Sequence, residues 1–221
     1  MTSAVEPGPR IGIIGTGAIG GFYGLMLARA GFDVHFLLRS EYAAVSERGL
    51  QLNSSVHGAL SLHPVQTYAN AADMPPCDWL LVGTKTTGNV ELAPTIAQVA
   101  APDAKVVLLQ NGLGVEDGLR EHLPESLHLL GGLCYICVHR SGPGIVEHQA
   151  MGRVSLGYHS GMPHRMQTAA RRLWRRAPGC SARPGSTPRQ CLTWTRHAGI
   201  SWCGMCHTTA CRCCSVPIPR S

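Results

Sequence analysis

From residue 11 to about residue 160, short apolar runs alternate with longer stretches of helical spacing. The runs at 11–14, 32–38, 77–82 and 105–109 read as buried strands, because each is brief, rich in Ile, Leu and Val, and bounded by glycine or polar residues. Between them, 21–30, a segment opening at about 41, 89–100 and 115–123 carry the apolar periodicity of helices. Gly31 marks the end of the first helix, as a residue that readily takes the left-handed conformation there. Residues 51–53 and 60–62 alternate as a small hairpin, and 127–138 and 144–157 supply the last strands. Strands alternating with helices predict an α/β fold with a doubly wound parallel sheet.

The first strand runs directly into Gly15-Thr16-Gly17-Ala18-Ile19-Gly20, and the loop opens at once into a helix. In that setting each glycine has a separate task. Gly15 makes the tight turn, Gly17 lets the backbone approach a pyrophosphate, and Gly20 lets the helix lie close on the strand. The helix then turns its free amides and positive dipole end toward the anion. A second strand ending at Arg39 extends the reading. An Asp or Glu at that end would hold the 2′-hydroxyl of an NAD ribose, whereas the Arg39 guanidinium suits a 2′-phosphate, so NADP is expected. Two further strand tips carry polar groups to the same edge: Thr84-Lys85, and Gln110-Asn111-Gly112, where Asn-Gly is also a turn signal.

Composition sets bounds on the class. The hydrophobic fraction is 44% and the charged fraction 14%, as in a soluble globular chain, and no apolar run nears the roughly eighteen residues of a membrane span. The first ten residues lack the regions of a signal peptide, so a cytoplasmic location is expected, without membrane or nucleic-acid partners. Net charge divides the chain in two. Residues 1–160 hold 9 Lys+Arg against 13 Asp+Glu, while residues 161–221 hold 10 Arg with neither lysine nor acid. Seven of the ten cysteines also lie in that second part. Its Cys203-x-x-Cys206 resembles half a zinc site, but the remaining cysteines and histidines repeat no ligand spacing, so no metal is expected. Cys134 and Cys137, in an apolar strand with no second pair nearby, read as small buried hydrophobes, and His139 and His148 as ordinary strand residues.

Taken in order, Gly15 to Gly20, Leu38-Arg39, Val82-Gly83-Thr84-Lys85, Gln110-Asn111-Gly112-Leu113-Gly114 and Gly142, His148, Gly152 and Gly157 resemble the N-terminal domain of the ketopantoate reductase family. The resemblance implies reduction of ketopantoate (2-dehydropantoate) to pantoate with NADPH, in pantothenate and coenzyme A biosynthesis. It implies that Gly15, Thr16, Gly17, Ala18, Ile19 and Gly20 bind the pyrophosphate and Arg39 the 2′-phosphate, with Lys85 and Asn111 near the nicotinamide and the 2-oxo acid substrate. The family also has a helical C-terminal domain carrying a catalytic lysine in a Lys-Leu-Val-Trp-Asn segment. This chain has no lysine after Lys105, so no catalytic residue is expected intact.

The genetic code links these observations. Joining the third base of each codon to the first two of the next forces Val across Trp202–Cys203, Val across Met205–Cys206 and Leu across Cys213–Cys214. The other junctions from 200 to 215 permit Lys-Leu-Val-Trp-Asn-Val-Pro-Tyr-Asn-Gly-Leu-Ser-Val-Leu-Leu. The expected organisation is therefore an NADP-binding domain over residues 1–161 and an out-of-frame, largely disordered tail over 162–221, its arginine and cysteine content that of a shifted GC-rich frame.

Overall fold

A computed structural model describes residues 8–161, together with the backbone of two short strands farther on. In chain order the described residues form β1 (Arg10–Ile14), α1 (Ala18–Arg29), β2 (Asp33–Leu37), α2 (Tyr42–Arg48), β3 (Leu50–Ser54), β4 (Gly58–Leu62), β5 (Gln66–Tyr68), β6 (Cys77–Val82), α3 (Asn89–Val99), β7 (Ala100–Leu108), α4 (Val115–Arg120), β8 (His128–Gly142) and β9 (Ile145–Ser160). Strands β10 (Arg189–Trp194) and β11 (Ile200–Cys203) extend the sheet antiparallel beyond β9. The expectation of a disordered tail otherwise lies outside the described residues.

Six strands run parallel in the order β5-β2-β1-β6-β7-β8. Counted along the chain, that is the 3-2-1-4-5-6 order of doubly wound dinucleotide folds, and it reverses between β1 and β6. Ligands bind such sheets at the carboxyl ends of the strands, beside that reversal.

The sheet is covered on both faces, which is why its strands are apolar almost throughout. Ile11 and Ile13 of β1, Val34 and Phe36 of β2 and Val107 of β7 pack on one side with Phe22, Tyr23 and Leu25 of α1. The alternate residues Ile14, Leu37, Val106 and Leu108 pack on the other side with Ala93, Ile96 and Val99 of α3 and Leu119 of α4. Each buried Val, Leu, Ile or Phe among them stabilises the fold by roughly 2 kcal/mol. Three glycines weaken α1 as an isolated helix, yet a Cβ at Gly24 would lie 2.4 Å from the Phe36 ring and one at Gly21 2.8 Å from Val146 Cγ2. Close approach of helix to sheet is what those glycines provide.

Some elements depart from the sequence pattern. The predicted hairpin forms as β3 and β4, but β3 also pairs in parallel with the start of β9, which curls the sheet. Strand β5 escapes the pattern because Gln-Thr-Tyr presents no apolar run. Strands β8 and β9 run longer than expected and turn through Pro143 and Gly144, whose φ is +72°. Helix α4 stops early: Pro124 disfavours helix at Leu123, and the Arg120 guanidinium donates to the Leu123 and Leu127 carbonyls at 2.7 and 2.8 Å. Among the described residues no helix is long and apolar enough to cross a membrane.

Candidate functional site

The three fingerprint glycines divide by what surrounds them. Gly15, at φ +88°, has its would-be Cβ 2.6 Å from Thr84 Cγ2 and 2.9 Å from the Thr84 amide. Gly20 has its own 2.1 Å from the Gly15 carbonyl oxygen. Both are therefore required by the protein's own packing. A Cβ on Gly17 would meet nothing within 4 Å, so no internal contact demands glycine there. Gly17 caps α1 without a side-chain hydrogen bond, and the first turn holds no acidic residue. The leading amides and dipole of α1 are thus left for an external anion. Beside them Thr16 is buried, and its Oγ1 finds no hydrogen-bond partner among the described residues. An open approach at Gly17 and an orphaned hydroxyl at Thr16 fit the pyrophosphate of a dinucleotide.

Arg39 follows β2, two residues past the point where Leu37 pairs with Ile14, and stands exposed without an ion pair to any described residue. The nearest acid along the chain, Glu41, is buried and turned elsewhere. It pairs with the Arg140 guanidinium and accepts a 2.9 Å hydrogen bond from the Gly144 amide. No carboxylate at the end of β2 is therefore free for a ribose diol, while a guanidinium is available for a phosphate.

The tips of β6 and β7 sit against this loop. The Gly83 amide donates to the Ile14 carbonyl at 2.9 Å, and Thr84 packs on Gly15. Lys85 and Asn111 are exposed at the two tips. Gln110, Asn89 and Thr84, which the sequence did not mark as a unit, tie the tips together. Gln110 and Asn89 exchange reciprocal amide hydrogen bonds of 2.9 and 2.7 Å, and Gln110 Nε2 also donates to the Thr84 carbonyl at 3.0 Å. The structure thus brings Gly15 to Gly20, Lys85 and Asn111 onto one edge, with Arg39 at the neighbouring strand end.

Other candidates do not converge. Cys134 and Cys137, three apart on β8, face opposite sides of the strand. Cys134 packs half-buried against the core, and burial raises its thiol pKa. Cys137 is exposed, contrary to the expectation of a buried hydrophobe, because β8 alternates between core and solvent there. His148 is buried against Phe22, its Nδ1 bonded to Ser54 Oγ at 2.8 Å, and His139 is exposed. A shallow cavity of about 350 Å³, lined by Asn53, His139, Glu147 and Gln149 among others, contains none of the predicted site residues.

Comparison with known proteins points the same way. Residues 11–161 match the family described as ketopantoate reductase PanE/ApbA. A 2-dehydropantoate 2-reductase from a Nostoc species is 42% identical over 164 residues, covering 72% of this chain and 51% of that protein. Crystal structures of 2-dehydropantoate 2-reductases superpose with TM-scores of 0.64 (Geobacter metallireducens, 36% identity) and 0.63 (Methylococcus capsulatus, 33% identity). They cover 73% and 75% of this chain, and 54% of each solved chain is matched. The chain spans about half the length of the curated relatives it matches.

Proposed function

The chain belongs to the ketopantoate reductase family, and from that premise we propose that residues 1–161 are the NADP(H)-binding domain of an NADPH-dependent 2-dehydropantoate 2-reductase. The observation that carries the reading is Gly17, a glycine that no protein contact requires, at the head of an uncapped helix. In this reading Gly15 to Gly20 hold the pyrophosphate, with Thr16 Oγ1 donating to it, and Arg39 takes the 2′-phosphate. Glu41, engaged by Arg140 and Gly144, removes the competing carboxylate and so favours NADP over NAD.

When bound, NADPH supplies the hydride for the keto carbon of a small 2-oxo acid, ketopantoate first among them, on the route to pantothenate and coenzyme A. Lys85 and Asn111, polar and exposed at adjacent strand tips, orient the nicotinamide and the substrate oxygens. No general acid is assigned to the described residues. We propose that the lysine which fills that role in the family is encoded in the other reading frame, beyond about codon 161 where the family match ends. A cytoplasmic location belongs to the same proposal, supported by three free thiols among the described residues.

One observation favours a second reading, NADP binding without turnover: lysine is absent between Lys105 and Ser221. Fluorescence titration with NADPH and an assay of ketopantoate reduction separate the two. Saturable binding with negligible turnover supports the binding domain alone, and turnover at the level of a full-length reductase overturns the assignment of the acid to the missing frame. Sequencing the DNA across codons 155–170 tests the frame change itself. The proposal fails if no single-base shift there restores the Lys-Leu-Val-Trp-Asn frame.

A further inference from the structure

Gln110 lies between Leu109, buried just past β7, and the exposed Asn111. Its side chain is fully committed inward. Nε2 carries two hydrogens and meets three acceptors: Asn89 Oδ1 at 2.7 Å, the Thr84 carbonyl at 3.0 Å and Thr84 Oγ1 at 3.2 Å. One hydrogen goes to Asn89 and the other is shared between the two Thr84 oxygens. The carbonyl Oε1 accepts from Asn89 Nδ2 at 2.9 Å. The orientation of the amide is fixed, since the Thr84 carbonyl can only accept and Nε2 must therefore face it.

Three separate segments meet in this one side chain: the tip of β6 at Thr84, the first residue of α3 at Asn89, and the tip of β7. Asn89 is 8% exposed, so its amide has no ready replacement in solvent. Thr84 also packs on Gly15, whose turn is closed as well by the approach of Gly20. Lys85 and Asn111 each directly follow a clasped residue, Thr84 and Gln110.

We propose that Gln110 is a positioning residue: with Asn89 it clasps the β6 and β7 tips so that Lys85 and Asn111 meet the nicotinamide half of the cofactor in one fixed geometry. The proposal rests on the dinucleotide reading above. It separates two parts of one site. The glycine loop and Arg39 serve the adenosine half and do not depend on the clasp, whereas the two tips do.

The test uses the full 221-residue chain and compares NADPH with 2′,5′-ADP, which lacks the nicotinamide half. Gln110→Ala and Asn89→Ala are each expected to weaken NADPH binding about tenfold while 2′,5′-ADP changes less than about twofold. The double variant is expected to be no weaker than either single one, because both remove the same clasp. Equal weakening of the two ligands, or additive losses in the double variant, overturns the proposal. Hydrogen exchange without ligand gives a second readout. Gln110→Ala should speed exchange at residues 83–90 and 109–112 together, and unchanged protection at 83–90 contradicts the clasp. A wild-type chain that binds neither ligand defeats the dinucleotide reading on which the proposal rests, and hydrogen exchange still decides the clasp itself.

Discussion

The two edges of the parallel sheet handle polar residues in opposite ways. At the amino edge the groups satisfy one another: Arg10 lies 3.7 Å from Asp33, Gln66 donates to Asp33 at 2.8 Å, and the Arg10 amide donates to Asp78 at 2.9 Å. At the carboxyl edge, hydrogen bonds are spent on the scaffold, among Gln110, Asn89 and Thr84, while Arg39, Lys85 and Asn111 stand exposed. Arg39 and Lys85 form no ion pair with any described residue. The strands are the same, and only the distribution of partners differs. Polar groups at the first edge are spent on one another, and those at the second stand exposed at the end of the sheet where doubly wound folds bind ligands.

Substitutions can break this contrast, and the largest effect is expected at Gly20. A methyl there would stand 2.1 Å from a backbone oxygen that cannot move without undoing the turn, so Gly20→Ala should cost about 3 kcal/mol and abolish NADPH binding, read by chemical denaturation and titration. Arg39→Ala comes next. Losing a charged contact to the 2′-phosphate should weaken NADPH on the order of thirtyfold, leave NADH within about twofold, and leave the melting temperature in place.

Gly17→Ala sharpens the comparison with Gly20. Its methyl meets no protein atom, so stability should change by less than about 0.5 kcal/mol while NADPH affinity falls about tenfold. An equal loss of stability at Gly17 and Gly20 would contradict the division of roles among the glycines.

The smallest effect belongs to the amino edge. The hydrogen bond from Gln66, with His35 and Arg10 behind it, holds the Asp33 carboxyl below the usual carboxylate range. That contribution is present above the ordinary carboxylate pKa and is lost as pH falls through the lowered value of the folded state. Because the Asp33 side chain is 45% exposed, water screens it to below about 1 kcal/mol. Asp33→Asn should therefore flatten the acid end of a melting-temperature profile slightly and leave NADPH affinity unaltered.

Much of the first edge was invisible in the sequence, and much of the second was legible. The glycine loop declares itself because Gly15 and Gly20 each answer a steric demand between adjacent elements, and Arg39, Lys85 and Asn111 stand out as polar residues at the ends of apolar runs. The clasp stayed hidden because Asn89 and Gln110 are 21 residues apart and look like a helix start and a turn. Glu41 gave no signal either, since its partner Arg140 lies on a strand far along the chain. Likewise, the pairing of β3 with β9 joins segments far apart in the chain, which no local period encodes, and Gln-Thr-Tyr of β5 presents no apolar run.

Equilibrium titration of the 221-residue chain with NADPH and NADH side by side tests whether the carboxyl edge is an NADP site. The expected result is saturable binding of one NADPH per chain, at least about tenfold tighter than NADH, as one charged 2′-phosphate contact provides. No saturable binding of NADPH, or equal affinity for the two cofactors, would contradict it.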